Sequence, residues 1–498
     1  MPVSLLALGI DAGSPVPRYR QLYEGIREAI LTGRLRPGAR LPSTRVLAAE
    51  TGSGRNTVIA AFEQLVAEGY LEGRVGAGTR VALTLPEALL QARPVARARR
   101  RAAGPRRALA ERGRRLLDSW ARRQPPGGPA RPFRTGYPAF DAFPTEVWAR
   151  LVSRRWGQVS RQLLGYGDPA GYRPLREAIA TYLREARAVR CDADQVVVLT
   201  GSQQGIEVIA RVLLEPGEPV WVEDPGYAGA HDGLSGAGLR LVPVPVDAEG
   251  LDIGAADPRA PVGRLVYVTP SHQYPLGVTM SLRRRLALVD WADRAGAWIL
   301  EDDYDSEYRY AGPPLAALQG LDQAGRVLYL GTFSKVFSPG LRLAYCVAPP
   351  DLVEAVVAAR FQSDRHPPSV NQAVLADFMG EGHFARHIRR TRALYAERQA
   401  ALLEAVRRWL AGRLEVSPAA AGLHVLGWLP PGVDDGVASR AAAEYDVEAA
   451  PLSAFRIRPG SRGGLVLGYA GFTEREIRDG VLRLARALEG RPAVAPTG

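Results

Sequence analysis

Short apolar segments alternate with stretches of helical periodicity from about residue 132 onward, and this alternation restricts the possible folds more than any other feature. The segments predicted as buried strands are QVVVLT, PVWVED, LRLVPVPVD, RLVYVTP, AWILEDD, RVLYLGTFS and LRLAYCVAP. Near-continuous apolar runs are typical of strands in a largely parallel sheet that is covered on both faces. With helical segments between several of them, these runs predict an α/β domain over residues 132–498.

Polar side chains follow these strands at their carboxyl ends, where ligands bind in sheets of this kind. QVVVLT leads into GSQQG and a helical segment, which predicts an anion-binding helix N-terminus at Ser202 and Gln203. Tyr227 follows PVWVED, and the segment SHQYPLG follows RLVYVTP. The next two strand ends supply Asp302, Asp303, Tyr304, Thr332, Ser334, Lys335 and Arg342. We therefore expect these groups to line one pocket.

Lys335 is the only lysine of the chain, because all its other basic residues are arginine. Lysine can lose its proton and form an imine with an aldehyde, whereas arginine cannot because its pKa is very high. A carboxylate facing a pyridinium nitrogen would keep a pyridoxal ring protonated. A single lysine or a single GSQQG turn is most often an ordinary surface feature. The order GSQQG, EDPGY, PSHQYPLG, EDDYD and TFSK-x6-R is specific.

The first quarter of the chain is organised differently. Residues 17–82 predict three helices with a tight turn between the second and third, followed by two short strands around a Gly-rich turn. Ser43 or Thr44 is predicted to cap the second helix, and Ser53 the third. This order of elements is that of a winged helix-turn-helix, a small α+β domain.

Two parts of this domain offer groups suited to DNA. The N-terminus of the third helix is the end that enters a major groove, where Arg, Asn and Thr can bond base edges or phosphates. In the hairpin, glycines allow the backbone to approach a minor groove closely. The candidate residues are Ser53, Arg55, Asn56 and Thr57 in the helix, and Arg74, Gly76 and Gly78 in the hairpin.

Residues 83–131 read as an Arg-rich linker with clusters of Pro and Gly. They hold thirteen arginines against three acidic residues, so much of the net charge of +12 lies here, while the part from residue 132 is near neutral. The segment RRALAERGRRLLDSW predicts a short helix. Two interpretations of the arginines stay open: sequence-independent phosphate contacts, or a solvated linker of biased composition.

The remaining features exclude several classes of protein. Cys191 and Cys346 are far apart and fit neither a disulfide framework nor a metal site, so we expect no metal. Residues 1–16 read as an extension without the features of a signal peptide, and no segment is long and apolar enough to cross a membrane. We expect a cytoplasmic protein.

The segment LPSTRVLAAETGSGRNTVIAAFEQLVAEGYLEGRVGAGT resembles the GntR-type winged helix. That resemblance implies that Arg45, Arg55, Thr57 and Gly76 occupy DNA-contacting positions, and that the partner is double-stranded promoter DNA. Gly54 stands where the family usually has serine, a departure at a corner that faces phosphate.

The C-terminal domain resembles the fold-type I aminotransferases, and the whole chain resembles the MocR/GabR-type regulators, which include regulators of vitamin B6 synthesis. The resemblance implies that Lys335 forms the internal aldimine with pyridoxal 5′-phosphate, that Asp302 faces the pyridine nitrogen, and that Tyr304 bonds the phenolic oxygen. It also implies stacking by Tyr227 and a homodimer, in which Tyr166 reaches the phosphate of the partner subunit. The phosphate contacts it implies are Ser202, Gln203, Thr332 and Arg342.

Two departures from the aminotransferases affect the expected site. PSHQYPLG replaces their N-P-x-G motif, so the role of His272 or Gln273 stays open. The strand GGLVLGYAG lacks the arginine that binds a substrate carboxylate in those enzymes. Arg456 and Arg458, just upstream, are the candidates to bind an effector in its place.

Three functions are compatible with these features. We favour a transcriptional regulator whose C-terminal domain senses pyridoxal phosphate or an amino compound through Lys335, with turnover not its main role. The alternative is an active aminotransferase with an appended DNA-binding domain. In a third, the C-terminal domain is only a dimerisation scaffold.

Overall fold

The computed structural model describes residues 10–11, 13–74, 78–85, 108–122, 128–311 and 315–489 of the chain. It divides into two compact units, Met1–Ala108 and Leu109–Gly498. No helix within those described ranges is long and apolar enough to cross a membrane.

The first unit is a winged helix-turn-helix, as the sequence predicts. Its elements are α1 (Arg18–Leu31), α2 (Thr44–Thr51), α3 (Arg55–Ala67), β1 (Leu71–Arg74) and β2 (Gly78–Val81). The two strands pair antiparallel. The apolar faces of the helices meet in a core that includes the fully buried Leu22, Ile26, Leu47, Val58 and Leu65.

The helix ends in this unit agree with the sequence except at one cap. The Ser43 side chain accepts a hydrogen bond from the Val46 amide, and Gly52 ends α2 in the left-handed conformation. The prediction that Ser53 caps α3 is wrong. Gly54 occupies the N-cap, and the Ser53 hydroxyl bonds back to the Thr51 carbonyl. The turn between α2 and α3 is so tight that the serine side chain turns toward the helix it follows.

The second unit is the predicted α/β domain. Its helices are α4 (Glu111–Arg122), α5 (Thr145–Gly157), α6 (Arg161–Leu164), α7 (Arg173–Arg187), α8 (Ser202–Leu213), α9 (Ala228–Gly236), α10 (Leu282–Ala295), α11 (Leu318–Leu321), α12 (Val353–Asp364), α13 (Ser369–Gly380), α14 (His383–Trp409), α15 (Asp435–Glu444) and α16 (Glu474–Ala487). Its strands are β3 (Val196–Leu199), β4 (Pro219–Asp224), β5 (Arg240–Asp247), β6 (Gly250–Leu251), β7 (Leu265–Val268), β8 (Trp298–Asp303), β9 (Val327–Thr332), β10 (Ala344–Val347), β11 (Glu415–Val416), β12 (His424–Trp428), β13 (Ala450–Pro451) and β14 (Gly464–Gly468).

The central sheet has the strand order β3-β10-β9-β8-β7-β4-β5-β6, and the smaller sheet has the order β11-β12-β14-β13. Strands β9, β8, β7, β4 and β5 are parallel, as predicted. Strand β10 is instead antiparallel to both of its neighbours. Residues 333–343 connect β9 to β10. This segment is too short for the crossover connection that two parallel strands require.

The predicted linker helix is present as α4, which belongs to the second unit. Its Arg112 Nε donates to the Gly236 carbonyl at the end of α9, over 3.0 Å. Residues 86–107, the most Arg-rich part of the linker, lie outside the described residues.

A buried ion pair joins α7 to the ends of β8 and β9. Arg187 Nε donates to Asp303 Oδ2 over 2.8 Å, and the same carboxylate oxygen accepts from the Tyr329 hydroxyl over 2.5 Å. Arg187 also donates to the Ser271 hydroxyl over 2.8 Å. Burial alone would raise the pKa of Asp303, but Arg187 and the Tyr329 hydrogen bond outweigh it and lower that pKa below its ordinary value.

We expect Arg187→Met to destabilise the second unit by about 3–5 kcal/mol, because it leaves the Asp303 charge buried without its partner. Denaturant unfolding at pH 7 measures the loss. The double variant Arg187→Met/Asp303→Asn should recover part of it, because the orphaned charge is gone. Arg294→Met, which breaks the exposed Arg294–Asp290 pair, is the matched control and should cost less than about 1 kcal/mol. Equal losses from the two single variants would contradict the role of the buried pair.

Candidate functional site

A cavity of about 360 Å³ opens at the carboxyl ends of the parallel strands. It brings together most of the residues predicted for a cofactor site, namely Ser202, Gln203, Tyr227, Asp302, Tyr304, Thr332, Lys335 and Arg342. Further lining residues are Thr135, Gly136, Gly201, Tyr267, Thr269, Tyr274, Ser334, Pro339, Leu423 and His424. Its size lies within the range of small-molecule sites.

Lys335 projects into the cavity from the short β9–β10 connection. Its Nζ donates to the Gly136 carbonyl over 3.1 Å. Gly136 has φ +84°, and a Cβ there would lie 3.0 Å from Nζ, so the position suits glycine. Burial lowers the pKa of Lys335, and the carboxylates of Asp305 and Asp302 only partly oppose this shift. The amine is therefore easier to deprotonate than an exposed lysine, as nucleophilic chemistry requires.

Asp302, at the end of β8, has one carboxylate oxygen engaged and one unused. Oδ2 accepts from the Tyr267 hydroxyl over 2.7 Å. Oδ1 is buried and has no hydrogen-bond partner among the described residues. Burial raises the pKa of Asp302 to about 7. A buried oxygen of this kind calls for a donor from a ligand, because leaving it unpaired is costly.

The part of the cavity formed by Arg342 and the N-terminus of α8 is suited to an anion. The N-terminus of α8 begins after Gly201, where backbone N–H groups lack helical partners. A Cβ at Gly201 would lie 2.9 Å from a guanidinium nitrogen of Arg342, so the arginine approaches the backbone closely at this position. Arg342 is exposed and ends the β9–β10 connection. The arginine and the helix end thus present positive charge to the same space.

Aromatic rings and a hydroxyl pair form another wall. The rings of Tyr227 and Tyr274 meet edge to face, with their centroids 5.8 Å apart. The Tyr274 hydroxyl lies 3.1 Å from the Thr135 hydroxyl. The centroid of the His424 ring is 4.9 Å from that of Tyr274.

His272 lies behind this wall and does not line the cavity. Its Nδ1 is 2.8 Å from Asp305 Oδ2 and 3.0 Å from the Tyr304 hydroxyl, which donates to the His272 carbonyl over 2.9 Å. Gln273 instead donates its amide to the carbonyls of Pro225 and Tyr274, each over 2.8 Å. Of the two residues left open by the sequence, it is His272 that contacts Tyr304.

His272, Asp305 and His424 are all buried, and their ligand atoms lie within 4.8 Å of one another, close enough to share a metal ion. Nothing in the sequence indicated this group, because its members are far apart in the chain. Hydrogen bonds already engage each of them: His272 bonds Asp305, and His424 Nε2 lies 3.2 Å from the Pro275 carbonyl. Burial and the neighbouring His272 lower the pKa of His424 well below its ordinary value, so the ring is neutral.

Asp303, like His272, does not line the cavity, because its carboxylate bonds Arg187 and Tyr329 instead. Three further residues predicted for the site lie elsewhere. Tyr166 is 82% exposed and packs against Arg365 and His366. Arg458 uses its backbone amide to bond Asp224, and Arg456 lies over Gly460. None of the three lines the cavity of this chain.

Sequence reasoning did not select Thr135, Leu423 and His424. Thr135 lies 66 residues before Gly201 and Leu423 lies 81 residues after Arg342, outside the run of central motifs, and no local pattern marks them. Tyr274 belongs to the quoted segment PSHQYPLG, and its position beside a strand end was the available signal.

The residues predicted to contact DNA lie on the first unit. Arg45 on α2 is exposed, as are Arg55 and Asn56 at the start of α3, and Thr57 is half-buried. Gly76 and the side chain of Arg74 lie outside the described residues.

Comparisons with known proteins match both units. Residues 18–81 match the bacterial regulatory proteins of the gntR family, and residues 135–484 match aminotransferase class I and II. The chain is 42% identical to the probable rhizopine catabolism regulatory protein MocR of Rhizobium meliloti, covering 97% of this chain and 96% of that protein. It is 30% identical to the pyridoxine biosynthesis regulator PdxR of Corynebacterium glutamicum, covering 95% and 96%.

The solved structure of LysN, an alpha-aminoadipate aminotransferase from Thermus thermophilus complexed with N-(5′-phosphopyridoxyl)-L-leucine, is also similar. It is 32% identical to this chain, with a TM-score of 0.68, and the match covers 76% of this chain and 95% of that one.

We expect the ligand-free protein to lose stability between about pH 4 and pH 7 through Asp302. Its folded pKa of about 7 exceeds the ordinary value of 3.8. In this window the unfolded state releases the proton and the folded state keeps it, so rising pH favours unfolding, by at most about 1.4 kcal/mol per pH unit. Asp302→Asn should flatten this dependence in denaturant unfolding at pH 5 and pH 8, and the surface variant Asp290→Asn should not. An unchanged slope in Asp302→Asn would contradict the assignment.

Proposed function

Because the chain belongs to the MocR-type transcriptional regulators, in which a GntR domain precedes a domain of the aminotransferase class I and II family, we propose that it regulates transcription in response to a small molecule bound in the cavity. Residues 17–82 bind promoter DNA, residues 83–131 connect the domains, and residues 132–498 act as the sensor. The observation that carries this proposal is the union, in one chain, of a GntR domain and a cavity that holds the single lysine.

Members of the aminotransferase class I and II family depend in general on pyridoxal 5′-phosphate, and we propose it as the cofactor of this chain. The unpartnered Oδ1 of Asp302 suits the protonated ring nitrogen. Arg342 and the N-terminus of α8 suit the phosphate, with Ser202, Gln203 and Thr332 around them. When bound, the cofactor supplies an aldehyde carbon that can bond to a primary amine.

The protein's own residues set the conditions for that chemistry. Burial favours the neutral, reactive amine of Lys335. Tyr227 offers a ring face for stacking. Tyr304 would donate its hydroxyl proton to the phenolic oxygen of the cofactor in place of the His272 carbonyl, and His272 Nδ1, which also contacts Asp305, lies 3.0 Å from the hydroxyl oxygen. The effector is pyridoxal phosphate itself or an amino compound that exchanges with Lys335.

We further propose that the protein acts as a homodimer. Tyr166 is 82% exposed and lies away from the cavity of its own chain, which supports a role in the site of the partner subunit. The side chain is oriented by Arg365, whose guanidinium lies 5.2 Å from the ring centroid.

For DNA, the proposed contacts are Arg45, Arg55, Asn56 and Thr57, together with Arg74 and Gly76 of the hairpin. The exposed start of α3 supports them, because its free backbone N–H groups and its side chains can meet phosphates and base edges. A regulator of this kind acts in the cytoplasm, where bacterial promoters are located.

The alternative function is an aminotransferase that carries a DNA-binding domain. The similarity to LysN and the retained Lys335 favour it. The two functions separate in an assay that supplies an amino donor and a 2-oxo acid acceptor. Steady formation of a new 2-oxo acid supports the enzyme, whereas promoter binding without turnover supports the regulator.

We expect borohydride reduction of the pyridoxal phosphate-loaded protein to attach the cofactor to Lys335. Peptide mass spectrometry locates the product without ambiguity, because the chain has no other lysine. Lys335→Ala should abolish this product. Asp302→Asn should retain it but weaken cofactor binding by about ten- to a hundredfold, the effect of losing a hydrogen bond to a charged group. Labelling confined to the N-terminal amine would refute the cofactor role.

We expect Arg55→Ala to weaken binding to duplexes that the wild-type protein selects from a random library, by about 1–3 kcal/mol if the guanidinium contacts a base edge. Fluorescence anisotropy measures the affinity at several salt concentrations. Arg20→Ala is the control, because this exposed arginine belongs to α1 and pairs with Glu24. Equal losses from Arg20→Ala and Arg55→Ala would argue against α3 as the reading helix.

A further inference from the structure

We propose that the effector is an uncharged, hydroxyl-bearing primary amine rather than an amino acid. This inference rests on the proposed function, since it concerns the compound that reaches Lys335 in the cofactor-loaded protein. It follows from a group of neighbouring lining side chains, called the effector end here, which consists of Thr135, Tyr274, Leu423 and His424.

The cationic side chains that this chain contributes to the cavity already have roles in binding the cofactor. Among its described lining residues, Lys335 and Arg342 are the cations. Arg342 stands at the anion side with Gly201, and Lys335 is the group that must meet the aldehyde. Arg134, the neighbour of Thr135, is held by Glu448 through a bond of 2.5 Å from Nε.

The charged groups that act on Lys335 are the carboxyl groups of Asp305 and Asp302, and burial raises the pKa of Asp302 to about 7. Asp302 lines the cavity, Asp305 acts electrostatically on the lysine, and Glu223 lies beneath Thr269, whose hydroxyl donates to it over 2.6 Å. A ligand carboxylate at the effector end would lose its hydration in this environment without gaining a cation. Burying an unpaired charge is costly, so amino acids are disfavoured.

The polar groups of the effector end are neutral and suit hydroxyls. The hydroxyls of Tyr274 and Thr135, 3.1 Å apart, can each donate or accept. The Pro275 carbonyl can only accept, so His424 Nε2 carries the proton that it meets there, and Nδ1 keeps a lone pair. That nitrogen has no hydrogen-bond partner among the described residues. The ring is neutral, because its pKa is lowered, so it offers an acceptor to a ligand hydroxyl.

The strand behind His424 adds no charge to this end. His424 pairs with Gly468 of β14, and the preceding residues Leu465, Val466 and Leu467 are fully buried and apolar. The effector end is therefore backed by packed hydrocarbon, and its neutral polar character is built into the fold.

Matched amines test this inference on the full-length protein loaded with pyridoxal phosphate. L-Serine and 2-aminoethanol differ only by a carboxylate, and 2-aminoethanol and ethylamine differ only by a hydroxyl. The visible absorbance of the bound cofactor reports half-saturation, expressed per concentration of unprotonated amine. We expect 2-aminoethanol to saturate at an at least about tenfold lower concentration than L-serine, because it avoids an unpaired buried charge. It should also saturate at a roughly two- to tenfold lower concentration than ethylamine, the effect of a hydrogen bond.

Two variants of Thr135, which is only half-buried, locate the effect. Thr135→Arg adds a cation at the effector end and should shift the preference toward L-serine. Thr135→Val is the matched control, because it removes the hydroxyl without adding charge, and should leave L-serine disfavoured. Tyr274→Phe keeps the ring and should reduce the advantage of 2-aminoethanol over ethylamine.

The outcomes separate this inference from the proposed function. If L-serine binds as tightly as 2-aminoethanol, or if the cofactor band forms and neither compound perturbs it, the inference is wrong and the cofactor role stands. If no cofactor band forms and Lys335 is not labelled by borohydride, the proposed function itself fails.

Discussion

The buried pair of Arg187 and Asp303 fixes the part of the fold on which the candidate site depends. Side chains alternate along a strand, so Asp302 and Asp303 point to opposite sides of β8. Asp303 bonds Arg187 and Tyr329, which ties α7 to β8 and β9, while Asp302 faces the cavity. The consequence is that two adjacent carboxyl groups have opposite pKa shifts. Arg187 lowers the pKa of one, and burial raises the pKa of the other to about 7. The ionised Asp303 thus anchors β8, and the adjacent Asp302 keeps a carboxyl group whose contact with a ligand depends on its protonation.

Strand ends and their order were readable from the sequence, because buried parallel strands are apolar runs and polar groups stand out after them. The groups at Asp302, Lys335 and Arg342 could be placed in one pocket for this reason. The antiparallel direction of β10 could not be predicted in this way, because an apolar run does not show in which direction the strand crosses the sheet. The length of the connection 333–343 was the physical clue. His424 and Thr135 had no such clue, because tertiary packing alone brings β12 and the segment before α5 to the cavity. The cap at Ser53 failed for a related reason: a tight turn overrode the local preference of serine for an N-cap.

The replacement of an asparagine motif by PSHQYPLG has a structural consequence that the sequence left open. The Tyr304 hydroxyl and Asp305 Oδ2 both lie within 3.0 Å of His272 Nδ1. Nδ1 of His272 meets Asp305, and Nε2 is buried without a hydrogen-bond partner among the described residues. The arrangement orients Tyr304, because the Tyr304 hydroxyl makes two contacts with His272. The neutral His424 belongs to the same buried network as His272 and Asp305, and it lies beside Tyr274. This network therefore shapes both the ring-binding region and the effector end.

A sensor needs a ligand that binds one arrangement of its parts better than another, and tight binding alone changes no equilibrium. Within the second unit, the anion side and Lys335 belong to the central sheet, whereas His424 lies on β12 of the smaller sheet and Thr135 on the segment before α5. A phosphate bound at Arg342 and the N-terminus of α8 would contact elements around the central sheet, so it could be retained in every arrangement. An amine that displaced Lys335 from the cofactor aldehyde and also reached Thr135 or His424 would connect the two sheets through the cofactor, and its binding energy would depend on their separation. The hydrogen bonds at the effector end are therefore the ones that can carry a signal, and an effector without groups to reach them would bind without switching.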